Sequence, residues 1–216
     1  MAQVNQVITL FNGYSYLDPA DPKIFISNCT CVLIKGLDGY NIIVDTMNPW
    51  DGPKILEALK EHSIKPEDIS AVVSTHGHPD HTGNNNLFLN AKWHIVGQTI
   101  MHKDKFLIHI PFTPFELTRD IRVIETEGHT LSCVSVIVEN SSLGGVTAIS
   151  GDLFEKKEDI DDPVLWQEVG SENQKAQFKN RSKIADMANW IIPGHGEGFE
   201  VTLEIREKLQ QQFKNN

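Results

Sequence analysis

Ile69-Ser70-Ala71-Val72-Val73-Ser74-Thr75-His76-Gly77-His78-Pro79-Asp80-His81-Thr82-Gly83 runs from an apolar, β-branched stretch straight into three histidines and an aspartate. The apolar residues predict a short buried strand. A loop must follow, because Gly77 frees the backbone and Pro79 starts a turn. His76 and His78 are two apart, so on an extended or turning backbone they point to one side. Asp80 and His81 come round on the turn. Four potential ligands this close do not easily reach one ion and divide naturally between two. Imidazole is the commonest neutral nitrogen ligand, and chance assembly of H-x-H-x-D-H behind an apolar run is improbable. A helix over 82–88 would follow. The order strand, loop, helix puts the ligands at the carboxyl end of a strand, where open α/β sheets keep their sites.

Outward from this loop, the chain alternates strand-like and helix-like stretches. Val4 to Phe11 reads as a first strand, and 12–28, with Gly13, Pro19 and Pro22, as a loop or flap. Thr30 to Lys35 and Asn41 to Asp45 form a hairpin about Asp38-Gly39. A helix opens at Asp51-Gly52-Pro53, with Ile55, Leu56 and Leu59 as its buried stripe. Trp93 to Gly97 is another strand, and 99–118 an irregular connection. Ile121 to Thr126, Val134 to Glu139 and Val146 to Ser150 are strands. Residues 155–162 are a charged excursion that reads as a solvated loop. A long helix over 172–189, a strand at Trp190-Ile191-Ile192 and an amphipathic helix over 202–213 close the chain. The order predicts an α/β fold, one domain over 1–216, with two sheets covered by helices.

Composition narrows the class. Apolar residues make up 40% and charged residues 22% of 216 positions, as in a globular protein with one sizeable core. No apolar run has transmembrane length, and the first residues lack the pattern of a secretory signal. Nothing points to a nucleotide cofactor. Cys29, Cys31 and Cys133 make no disulfide framework, which fits reduced thiols in the cytosol or nucleus. The formal charge of −10 argues against a general affinity for polyanions.

Three more residues share one context. His129, Asp152 and His195 each follow an apolar run and each is preceded by Gly; Asp45 ends another such run. Strand ends on one edge can converge on the loop at 76–81. With Asp45, His76-Gly77-His78-Pro79-Asp80-His81, His129, Asp152 and His195 in this order, the chain resembles the metallo-β-lactamase superfamily. That resemblance implies an αββα sandwich, with two mixed β-sheets between helices, and a dinuclear site. Position by position, it implies His76, His78 and His129 on the first metal and Asp80, His81 and His195 on the second. Asp152 would bridge them, and Asp45 would orient a ligand by hydrogen bonding. A nitrogen and oxygen donor set without sulfur suits two Zn2+, with Mn2+ or iron also able to fit. His62, His94, His102 and His109 read as structural.

The chemistry implied is hydrolysis by a metal-bridging hydroxide, with Asp80 orienting it and accepting its proton. Asp152 and His81 together resemble the glyoxalase II and nuclease branches rather than antibiotic-degrading members. About twenty residues follow His195, too few for a glutathione-binding domain. The stretches Gly151-Asp152-Leu153-Phe154-Glu155, Leu165-Trp166-Gln167, Arg181-Ser182-Lys183 and Ile192-Pro193-Gly194-His195-Gly196 resemble a single-domain animal branch of the family. That branch implies a homodimeric endoribonuclease acting on the 3′ end of histone pre-mRNA. Lys156 and Lys157, close after Asp152, are candidate substrate contacts, and Lys179, Arg181 and Lys183 candidate phosphate contacts. Two alternatives stay open. One is a glyoxalase II-like thioester or lactone hydrolase with an apolar pocket of Tyr14, Tyr16, Trp50 or Phe112. The other is a non-enzymatic metal-binding protein.

Overall fold

The computed structural model describes residues 3–108 and 112–216; His109 lies outside the described residues. The first half runs β1 (Gln6–Phe11), β2 (Tyr14–Leu17), β3 (Phe25–Asn28), β4 (Cys31–Lys35), β5 (Asn41–Val44), α1 (Gly52–Glu61), β6 (Ile69–Ser74), α2 (Pro79–Thr82), β7 (Trp93–Val96), β8 (Thr99–His102) and β9 (Lys105–Phe106). The second runs β10 (Phe115–Glu116), β11 (Ile121–Glu125), β12 (Val134–Val138), β13 (Thr147–Gly151), α3 (Val164–Val169), α4 (Gln174–Met187), β14 (Trp190–Pro193), β15 (Phe199–Glu200) and α5 (Leu203–Asn215).

Two mixed sheets stack face to face. The first has the order β1-β4-β5-β6-β7-β8-β9 and the second β10-β11-β12-β13-β14-β15. β6 lies between β5 and β7, parallel to both. That explains its unbroken apolar run, since both faces of a central parallel strand are covered. Between the sheets, Val32, Ile34, Val44 and Val73 of the first meet Val123, Val136, Ile149 and Ile192 of the second. The outer face of the first sheet buries Leu33, Ile43 and Val72 with Ile55 and Leu59 of α1. The outer face of the second buries Ile137, Ala148 and Ile191 with Ile184 of α4 and Leu209 of α5. The layers are therefore helix, sheet, sheet, helix. No helix among the described residues is long and apolar enough to cross a membrane.

Several local expectations need correction. Residues 12–28 are not a plain loop: β2 and β3 pair antiparallel into a separate hairpin, Tyr14 opposite Asn28 and Leu17 opposite Phe25. The connection over 99–118 contains β8, β9 and β10, short strands with too few residues to show a period. The helix expected over 82–88 is instead the single turn α2 and a 3-10 turn at 85–87. A Cβ on Gly83 would sit 2.3 Å from the Met47 carbonyl, and the Asn84 amide bonds the Thr46 and Asn48 carbonyls, so this segment is pinned to the β5 exit. Leu56 faces outward, with only Ile55 and Leu59 buried.

The charged excursion is the largest departure. Asp159 is fully buried and Glu155 nearly so, because the segment folds inward onto α4 rather than out to solvent. Arg181 is 0% exposed, ion-paired to Asp159 at 2.6 Å, and is no phosphate contact.

Candidate metal centre

Five strand ends supply the site. β5 runs into Asp45, β6 runs into Thr75 and His76, and the chain beyond β11, β13 and β14 delivers His129, Asp152 and His195. α2 carries Asp80 and His81. Asp152 is the hub. Its Oδ2 lies 3.5 Å from His76 Nε2, 3.4 Å from His129 Nε2 and 3.2 Å from His195 Nε2, and its Oδ1 lies 3.2 Å from His81 Nε2. His78 Nδ1 sits 2.8 Å from His76 Nε2 and 3.1 Å from His129 Nε2. Two donor groups result: His76, His78, His129 and Asp152 in one, Asp80, His81 and His195 in the other, with donor atoms in each within 4.8 Å of one another.

The far side of most rings is already committed, which aims the near side inward. His129 Nδ1 bonds the Gly170 carbonyl at 2.9 Å, and His195 Nδ1 the Asn28 carbonyl at 3.0 Å. His81 Nδ1 lies 2.9 Å from Asp45 Oδ2. Asp45 also accepts from the Thr75 amide at 2.7 Å and the Thr75 hydroxyl at 3.0 Å, tying the β5 end to the β6 end. This is the arrangement that fixes a tautomer and a ring direction.

The residues fit a pair of divalent metals. His81 Nε2 and Asp152 Oδ1 are buried, face each other at 3.2 Å, and have no hydrogen-bond partner. A buried polar atom without a partner is costly, and a cation between the two satisfies both. The spacing among His76, His78 and His129 approaches the edge of a tetrahedron with bonds of about 2.0–2.1 Å. Protonation agrees. Burial and the neighbouring His81 push His76 well below the usual imidazole range, and burial and His129 lower His78. Burial opposes ionisation of Asp152, but His81, His195 and His76 outweigh it and hold its carboxyl well below the usual range.

Two neighbours were not foreseen. The Ser27 hydroxyl, on β3, donates to Asp80 Oδ2 at 2.8 Å. Glu155 is nearly buried, 3.8 Å from His195 Nε2, and burial beside Asp152 pushes its carboxyl up to about 8. Ser27 left no signal in sequence; Glu155 stands three residues after Asp152 and was hidden in the charged run.

The metal-side cavity, about 390 Å³, is lined by Ser27, His78, Asp80, His129, Asp152 and His195 among others. It shares Phe25, Glu155 and Val169 with a cleft of about 720 Å³ between the β2–β3 hairpin and α3. Lys156 and Tyr16 line that cleft. Lys157 is exposed and lines neither cavity. Tyr14 is also outside both linings, Trp50 is 85% exposed, and Phe112 packs against the inter-sheet core, so these three do not form the apolar pocket considered above. His62 caps α1, while His94 and His102 bond backbone carbonyls of Phe88 and Lys92.

The sequence pattern of the Metallo-beta-lactamase superfamily matches residues 25–195. The chain belongs to this superfamily. It is 35% identical over 98% of its length to metallo-beta-lactamase domain-containing protein 1 of Xenopus laevis, covering 88% of that protein. The Mus musculus protein of the same name is 39% identical over 76% of the chain, which spans 62% of it. More distantly, an N-acyl homoserine lactonase of Bacillus thuringiensis is 27% identical over 64% of the chain and 60% of that protein. Among solved structures, a metallo-β-lactamase-fold protein of Thermotoga maritima aligns over 92% of this chain and 100% of its own, with a TM-score of 0.66 and 21% identity.

Proposed function

We propose that the chain is a dinuclear metal-dependent hydrolase that cleaves RNA phosphodiesters, the histone pre-mRNA 3′-end chemistry its sequence resemblance implies. The observation carrying the hydrolase reading is Asp152, whose two buried oxygens face His76, His129 and His195 on one side and His81 on the other. Two divalent metals, zinc by donor type, supply when bound a water that is nucleophilic at neutral pH and a Lewis acid for the scissile group. Asp80 lines the cavity and is held by Ser27, so it can orient the attacking water and accept its proton. Lys156 is the one Lys or Arg among the described lining residues of the cleft and can pair with a phosphate or carboxylate. Free Cys29, Cys31 and Cys133 support the cytosol and nucleus as compartments. A homodimer belongs to the same proposal; a monomeric mass by sedimentation at micromolar concentration would remove it.

A second reading is favoured by the cleft itself. Tyr16, Leu17, Phe25, Leu165 and Val169 make an apolar wall, and Glu168 disfavours a polyanion. That wall suits the acyl arm of a thioester or lactone, and the lactonase relative points the same way.

The deciding experiment offers labelled single-stranded RNA and a lactoyl-glutathione thioester to the zinc-loaded protein. Asp80→Ala and chelated protein run beside it. RNA cleavage lost in both controls and weakened by Lys156→Glu supports the ribonuclease. Intact RNA with metal-dependent thioester turnover replaces it by the second reading. Metal uptake without turnover of either substrate leaves a metal-binding protein.

A further inference from the structure

α4 breaks the rule for a helix covering a sheet. Besides Ala176, Phe178, Ile184 and Ala185, it buries Gln177, Asn180, Arg181 and Ser182. Burying such groups costs stability unless each is satisfied, and the buried Gln177 Oε1 and Arg181 Nε have no hydrogen-bond partner. A fold that tolerates this usually does so for a site. The contacts show which one.

Gln177 Nε2 donates to the Asp152 carbonyl at 3.0 Å. One turn on, Arg181 Nη1 donates to the Leu153 carbonyl at 2.9 Å and Nη2 to Asp159 Oδ1 at 2.6 Å, while its guanidinium lies 4.2 Å from the Phe154 ring centre. Asp159 Oδ2 in turn accepts from the Glu155 amide at 2.8 Å. The segment carrying Asp152 and Glu155 is thus held at both ends from α4. The other ligand loop is held from the same helix. Asn180 donates to the Glu127 carbonyl at 2.7 Å, and the Asn173 amide, at the helix start, to the Gly128 carbonyl at 2.9 Å. Gly128 lies so close that a Cβ there would meet Gln177 Cβ at 2.5 Å.

We infer that Gln177 and Arg181 are positioning residues for the metal centre. Their face of α4 is a template that sets the separation of the His129 loop from the Asp152 segment. The inference rests on the metal-site reading above. Arg181, read from sequence as a phosphate contact, thereby takes a different role. It touches neither cavity and acts through the backbone of the segment it holds.

The test uses the full chain freed of metal and titrated with Co2+. Visible absorption reports ligand geometry, a competing chelator reports affinity, and thermal melting reports stability. Gln177→Met keeps the volume and removes the donor. Arg181→Met removes the ion pair and is expected to melt lowest, so the decision rests on Gln177→Met. Ile184→Ala, buried on the same helix but with a side chain that hydrogen-bonds neither loop, is the control for destabilisation alone. The expected result is an altered Co2+ spectrum and an affinity about ten-fold weaker or more in folded Gln177→Met, with Ile184→Ala matching wild type in both despite a lower Tm. Wild-type spectrum and affinity in folded Gln177→Met would overturn the inference while leaving the metal reading intact. Equal changes in Ile184→Ala would also overturn it. No Co2+ uptake by wild type would remove the metal reading, and the inference with it.

Discussion

Asp45 holds a φ of 56°, a left-handed conformation that aspartate tolerates better than most residues. The turn lets one carboxylate face both Thr75 and His81. Asp45→Asn keeps an acceptor for the Thr75 amide, but its NH2 group cannot accept from His81 Nδ1. Metal affinity is expected to fall about 10- to 100-fold with little loss of fold, checked by chelator competition and circular dichroism. Asp80→Asn removes the proposed proton acceptor while its side-chain oxygen can still accept from Ser27; kcat should fall about 10²- to 10⁴-fold, with metal content measured alongside. At this scale the ligand candidates were legible, because each ends an apolar run or sits in the histidine loop. Ser27 was not: its bond to Asp80 spans 53 residues, and one hydroxyl in a strand carries no mark of its partner.

The β2–β3 hairpin and α3 are the two walls of the cleft, and both were hard to read. The hairpin's four-residue strands are mostly exposed or half-buried, so their alternation is weak. α3 has six residues, too short to show a helical period. Phe25 lines both cavities from the hairpin edge. Phe25→Ala is expected to raise KM several-fold with kcat and Tm nearly unchanged, since the ring is exposed in the free protein; steady-state kinetics on whichever substrate is turned over checks it. α4 shows why periodicity also failed in part. Its expected apolar side was found at Ile184 and Ala188, with Met187 half-buried, and Ala176, Phe178 and Ala185 are buried too; yet Gln177, Asn180, Arg181 and Ser182 share the buried surface, and Gln177 and Arg181 grip backbone carbonyls.

Across the whole molecule, the centre stores charge that the metal is expected to compensate. Burial works against a charged His195, but Asp152 and Glu155 outweigh it and push it up to about 9. Its contribution is fully present below the ordinary value of 6.5 and is lost as pH rises through about 9. Glu155 is raised from 4.5 to about 8, so the folded chain keeps a proton that the unfolded chain releases, and stability again falls as pH rises across that window. Metal-free protein should therefore melt lower at pH 9 than at pH 6. Metal binding needs neutral imidazoles, so the gap between metal-loaded and chelated melting temperatures should widen with pH. At a free Zn2+ concentration of 100 times Kd, each ion bound is worth about 2.7 kcal/mol, or about 5–10 °C in a chain of this size. A gap that narrows with pH would argue against this ligand set.

The linear chain by itself determined the layer order, the central strand and the ligand candidates. Burial demands a hydrophobic period in each strand, and ligands must stand where strands end. Only the tertiary structure decided that Asp159 and Arg181 pair inside the protein, that Ser27 reaches Asp80, and that the cleft has an apolar wall. Those facts depend on segments tens of residues apart meeting in one place. A charged residue looks the same in sequence whether water or a buried partner satisfies it.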